Sequence, residues 1–206
     1  MKHAVALVAI FLFLITSSVV AAPAQNAKTI ENIKAAITGE TTASAKYAAY
    51  AKKAREEGYN NIALLFEAAS KSESIHANNH RAVLEQLGEK LGPVTPKFEV
   101  KATMENLQDA LNGETYEVTT MYPDFMKEAD GKVSVAMISY NYAYRTEQKH
   151  KALYENALAA LKAGKEKTLA TKYFVCTTCG NTYDNEAAAR CGICLTPKER
   201  YVTIGA

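Results

Sequence analysis

The chain has 206 residues, 48% of them hydrophobic, and a formal net charge of +2. That length accommodates one helical bundle and one small appended module. The absence of Trp, the scarcity of Pro and the abundance of Ala favour a mostly helical protein, and no clustered basic footprint exists to serve a nucleic acid or an anionic membrane.

The first 24 residues read as a secretory signal. Lys2 precedes an apolar run from Ala4 to Ile15, and small residues follow to Ala21-Ala22-Pro23-Ala24. A weakly basic start, an apolar run too short to span a bilayer comfortably and small residues for cleavage are the three parts of such a signal. Cleavage is expected after Ala21 or Ala24, followed by release into a periplasm without stable membrane insertion. No Cys lies near Ala24, which argues against a lipid anchor.

Residues 25–164 contain an internal repeat. At an offset of 74 residues, Glu31-Asn32-Ile33 matches Glu105-Asn106-Leu107, Gly39-Glu40-Thr41 matches Gly113-Glu114-Thr115, and Glu73-x-x-His76 matches Glu147-x-x-His150. Each copy reads as a helical hairpin. The first has helices over about 27–57 and 60–87, broken at Gly58 and stopped at Gly88. The second begins near Thr103, turns at Asp130-Gly131 and ends near Gly164, after a crossover through Pro93 and Pro96. Two hairpins joined by one longer crossover predict an all-α, ferritin-like four-helix bundle.

Apolar residues recur at steps of three and four on every helix, and each stripe is interrupted near its middle by a carboxylate: Glu40, Glu73, Glu114 and Glu147. Met104, Leu107, Val118 and Met121 define the stripe of the third helix. Burying an unpaired carboxylate costs several kcal/mol, and neither Lys nor Arg occupies these stripes. Protonation would neutralise an acid but leaves His76 and His150 unexplained. A metal pair accounts for both, since residues at i and i+3 share a helix face and mixed carboxylate-imidazole ligation suits iron or manganese. Glu117 has Ala43 as its counterpart in the first copy, so a fifth carboxylate near one metal makes the two positions inequivalent. His80 continues the second stripe without a repeat partner and reads as a histidine that is packed or that supports the ligands from behind.

Residues 165–171 form a short polar linker, taken as extended. In residues 172–206, Cys176-x-x-Cys179 and Cys191-x-x-Cys194 are separated by eleven residues. Paired knuckles of this kind signal a four-sulfur site for zinc or a single iron; in an exported protein two disulfides are the competing assignment.

Gly39-Glu40 with Tyr47, Glu56-Glu57-Gly58-Tyr59, Gly113-Glu114-Thr115-Tyr116-Glu117, Met121-Tyr122-Pro123 and the two Glu-x-x-His pairs resemble the rubrerythrins, and the cysteine segment resembles their rubredoxin-like module. The resemblance implies a peroxidase of oxidative stress defence, with a di-iron site held by Glu40, Glu73, His76, Glu114, Glu117, Glu147 and His150. It further implies that Glu117 and His76 exchange at one iron on reduction, that Tyr47 and Tyr122 hydrogen-bond around the centre, and that Cys176, Cys179, Cys191 and Cys194 hold one iron relaying electrons from an external donor. A homodimer is implied too, with the linker letting the module reach a neighbouring subunit's bundle. The competing reading is a ferritin-like iron oxidase or iron-binding protein whose four-cysteine site is structural. Asn181, Gly192 and Leu195 depart from the family pattern, which places an aromatic, a Pro and a small residue there; altered hydrogen bonding and turn geometry around the sulfurs follow.

Overall fold

The computed structural model describes residues 26–205, so the expected signal lies outside the described residues. Two long helices, α1 (Ala27–Glu56) and α2 (Asn60–Gln86), form the first hairpin. The second consists of α3 (Thr103–Tyr116), α4 (Tyr122–Ala129) and α5 (Ser134–Lys162). Gly58 takes φ +85°, and the Tyr59 N–H returns to the Ala54 carbonyl at 2.8 Å, closing α1 with a left-handed cap available to Gly at little cost. Among the described residues no helix is long and apolar enough to cross a membrane.

The third helix departs from expectation. It is interrupted by a five-residue π-helical turn, Glu117–Met121. Pro123 explains the interruption: it has no N–H to give, and in a regular α-helix its ring would meet the carbonyl one turn back, a conflict relieved by widening the preceding turn. The extra residue makes a single stripe through this region misleading. Thr103, Asn106, Leu107, Ala110 and Glu114 face inward before the turn and Met121 and Tyr122 after it. Met104, expected inside, is 42% exposed, and Val118 is only partly buried.

The crossover is extended but tethered. Lys34 Nζ donates to Glu89 at 2.8 Å, and the Glu57 carboxylate accepts from the Thr103 N–H at 3.0 Å, capping α3. Two apolar clusters fill the bundle. One contains Tyr47, Phe66, Leu107 and Tyr154; the other contains Ile33, Ile37, Val83, Tyr122 and Tyr140. The carboxylates and histidines lie on the same helices between these clusters, so side chains each worth about 1.5–3 kcal/mol of burial hold the polar centre in place.

Strands β1 (Lys172–Cys176), β2 (Thr182–Asp184) and β3 (Tyr201–Gly205) form an antiparallel sheet in the order β2-β1-β3. The linker is neither extended nor free. Glu166–Thr168 make a 3-10 turn, Leu169 and Ala170 are buried in the bundle's first cluster, and Asn61 Nδ2 donates to the carbonyls of Lys167 and Leu169. Tyr173 and Val175 of β1 join the same cluster, so in this structure the module shares a core with the bundle.

Candidate metal centre

Glu40 comes from α1, Glu73 and His76 from α2, Glu114 from α3, and Glu147 and His150 from α5, and all six are essentially buried. They converge as two overlapping groups, Glu40-Glu73-His76-Glu147 and Glu73-Glu114-Glu147-His150, whose donor atoms lie within 4.8 Å of one another in each group. His76 Nδ1 is 2.9 Å from Glu73 Oε2 and 2.7 Å from Glu147 Oε1. His150 Nδ1 is 3.1 Å from Glu73 Oε1 and 2.9 Å from Glu147 Oε2. Each shared carboxylate therefore presents one oxygen to each histidine, the geometry of a bridge between two ions, while Glu40 and Glu114 sit at opposite ends.

Both oxygens of Glu73 and Glu147, one oxygen each of Glu40 and Glu114, and both Nδ1 atoms are buried without a hydrogen-bond partner. Such a set of orphaned lone pairs is costly unless a cation accepts them. Burial pushes Glu40 up to about 7. Burial opposes ionisation of Glu147 as well, but the two histidines hold it down at about 2. Burial disfavours the charged forms of His76 and His150, yet the surrounding carboxylates raise both well above the usual imidazole range. The donor set is hard, anionic and imidazole-containing, and fits a pair of irons.

Glu117 lies outside both groups. It opens the π turn, is mostly buried, and is raised by burial and then by the charges of Glu40 and Glu114. The tyrosines lie where the resemblance implied: Tyr47 Oη donates to Glu114 Oε1 at 2.7 Å, and Tyr122 Oη donates to Glu40 Oε1. His80, expected to be packed or to support the ligands, stands behind Tyr122. It is buried, pushed down to about 3 by burial and the neighbouring His76, and bonded to Tyr122 Oη at 3.1 Å and Ser139 Oγ at 2.8 Å. Its position one turn after His76 was the available signal.

The four cysteines are free, and their sulfurs lie within 4.8 Å of one another, with 3.5 Å between Cys176 and Cys194 and between Cys179 and Cys191. This is a four-thiolate cage and not a pair of disulfides. The departures from the family pattern have visible consequences. Asn181 is buried and its Nδ2 donates to Cys191 Sγ at 3.5 Å, the Gly192 N–H donates to Tyr183 Oη at 2.9 Å, and Leu195 is held at φ +63°.

The cage docks directly on the bundle histidines. His76 Nε2 donates to the Cys179 carbonyl at 3.1 Å, and His150 Nε2 meets Thr182 Oγ1 at 2.9 Å. Ser72 Oγ donates to the Gly180 carbonyl at 2.8 Å. These contacts leave each Nδ1 lone pair directed at the carboxylates, as metal-binding histidines require.

Fold and donor sets together define a ferritin-like dinuclear carboxylate protein with a four-thiolate metal module. A rubrerythrin family model matches residues 31–158. Nigerythrin of Nitratidesulfovibrio vulgaris is 36% identical over 176 residues, covering 84% of this chain and 85% of the relative, and Rubrerythrin-2 of Clostridium acetobutylicum is 32% identical, covering 86% and 97%. The solved structure of fully reduced, all-ferrous nigerythrin superposes with a TM-score of 0.77 at 34% identity, covering 92% of this chain and 91% of that one. The chain belongs to the rubrerythrin family. Its cofactors are accordingly a pair of irons in the bundle and a single iron between the cysteines.

Proposed function

We propose that this protein reduces hydrogen peroxide to water, drawing electrons through its four-cysteine module from an external donor. The observation that carries this reading is the docking of the module: Cys179 and His76 are joined by one backbone carbonyl and one hydrogen bond of 3.1 Å. A protein built for iron storage has no use for that contact.

When bound, the two irons supply the two electrons that peroxide reduction consumes and the positive charge that polarises the oxygen–oxygen bond. Glu73 and Glu147 would bridge them, with Glu40 and His76 completing one position and Glu114 and His150 the other. Tyr47 and Tyr122 hold the terminal carboxylates by their hydroxyl protons, fixing which oxygen remains free for metal. The aromatic packing of Tyr47, Phe66 and Tyr154 excludes bulk water from the Glu114 side. Glu117 would exchange with His76 as ligand; it stands on a π turn, a wide helical geometry frequent at functional sites, while His76 occupies the donor set.

The N-terminal pattern supports export to a periplasm, and the resemblance supports a homodimer, although docking within one chain means that electron delivery does not require a second subunit. Fractionation of tagged protein and light scattering test these points. For the activity, iron-loaded protein supplied with a one-electron carrier should consume two reducing equivalents per peroxide. Iron uptake far beyond two bundle irons and one thiolate iron, without peroxide consumption, would place the chain among iron-storing proteins instead.

A further inference from the structure

Peroxide reduction consumes protons as well as electrons: one peroxide, two electrons and two protons give two waters. The dinuclear centre is buried, so those protons need a route. The repeat shows where one exists. Tyr154 occupies in the second copy the position that His80 holds in the first, and its hydroxyl is buried without a partner among tyrosines and Phe66. The Glu114 side is thus closed by aromatic rings. On the Glu40 side the equivalent position carries an imidazole with two hydrogen bonds, and its outer partner, Ser139, lines a surface groove of about 220 Å³ together with Asn79, Gln86, Val135, Ile138 and Tyr142.

We propose that Ser139, His80 and Tyr122 form a proton wire leading from this groove to the Glu40 edge of the dinuclear site. The hydrogen-bond polarity is consistent throughout. Tyr122 has one proton and gives it to Glu40, so its oxygen accepts the His80 Nε2–H; Nδ1 is then bare and accepts the Ser139 hydroxyl proton at 2.8 Å. Every donor points inward. When Tyr122 releases its proton toward the centre, it takes the one from His80 Nε2, Nδ1 takes the one from Ser139, and Ser139 is recharged by water in the groove. The imidazole changes tautomer and gains no net charge, so a buried neutral ring suffices. The two electrons come from the iron pair, each iron giving one, and peroxide is the oxidant. This inference rests on the peroxidase reading.

Two experiments test it. His80→Gln keeps an N–H for Tyr122 and an oxygen for Ser139, but an amide does not exchange tautomers. In the iron-loaded reduced protein, H80Q should slow peroxide-driven oxidation at least about tenfold, as the loss of a general acid does, with iron content unchanged and an altered solvent deuterium isotope effect. Oxidation at the wild-type rate overturns the wire. Independently, in the full chain loaded with zinc as a diamagnetic stand-in, the His80 Nε2–H should exchange with deuterated solvent at least about tenfold more slowly after Ser139→Val, which removes the hydroxyl and fills its space. Unchanged or faster exchange overturns it. If the wild-type protein is inert to peroxide, the peroxidase reading fails, while the exchange measurement still decides whether the wire conducts.

Discussion

Replacing Gly180 with Ala places a methyl group in the contact between the two metal centres. A Cβ there would stand 2.3 Å from His76 Nε2 and 2.6 Å from Ser72 Oγ, on a backbone at φ +80°. Relieving the overlap to an ordinary contact requires the module to retreat by about 1 Å. The 3.1 Å bond from His76 to the Cys179 carbonyl would then stretch to about 4 Å, beyond hydrogen bonding. Leaving the buried ring N–H unpaired costs about 1–3 kcal/mol, and the left-handed conformation costs Ala about 1 kcal/mol more. The docked state should therefore weaken by about 2–4 kcal/mol, or between about thirtyfold and a thousandfold in population. The assay is anaerobic stopped-flow, following the visible absorption of the four-thiolate iron after peroxide addition. Gly180→Ala should slow its reoxidation at least about tenfold while the module keeps its iron. Gly192→Ala is the control, because its Cβ would meet Tyr183 Oη at an unremarkable 3.7 Å. Reoxidation of G180A at the wild-type rate would refute docking as the electron route.

Three further outcomes follow from the geometry. Glu147→Gln should weaken both irons by about tenfold or more, because Glu147 belongs to both donor groups, whereas Glu40→Gln and Glu114→Gln should each deplete one position; iron analysis with Mössbauer spectroscopy distinguishes these cases. Metal-free protein should lose stability as pH rises from about 5 to 7. Burial raises Glu40 from 4.5 to about 7, so the folded state holds a proton that the unfolded chain has released; ionisation then costs on the order of 3 kcal/mol, and the iron-loaded protein should lack this slope in chemical denaturation. Leu195→Gly should leave the visible spectrum intact and raise the temperature at which it bleaches, since Leu195 is 67% exposed and strained at φ +63°, a conformation that Gly adopts freely.

Much of the bundle was legible because repeat and periodicity agreed. Glu40, Glu73, Glu114 and Glu147 fall at matching intervals on apolar stripes, and a carboxylate in an apolar stripe demands a partner whatever the surrounding fold. The third helix resisted the same treatment because the π turn inserts a residue into the phase that a stripe assumes, and Pro123 was the clue. Met104 was misplaced separately: it precedes the turn, and of the two places one turn before Leu107 it is Thr103 that faces inward. The docking of the module was illegible for a different reason. Linker composition sets reach but not destination, and Leu169 and Ala170 are too short an apolar pair to announce that they bury in the bundle core. His80 lacked a repeat partner, and its importance comes from Ser139 and Tyr122, residues brought to it from distant parts of the chain.

The central claim is that peroxide at the bundle site draws electrons from the four-thiolate iron through the contact between His76 and Cys179. Anaerobic mixing of fully reduced protein with one equivalent of hydrogen peroxide tests it most directly. The account predicts that the ferric four-thiolate colour returns within the same reaction that consumes the peroxide. Peroxide consumed while the four-thiolate iron stays reduced would contradict it.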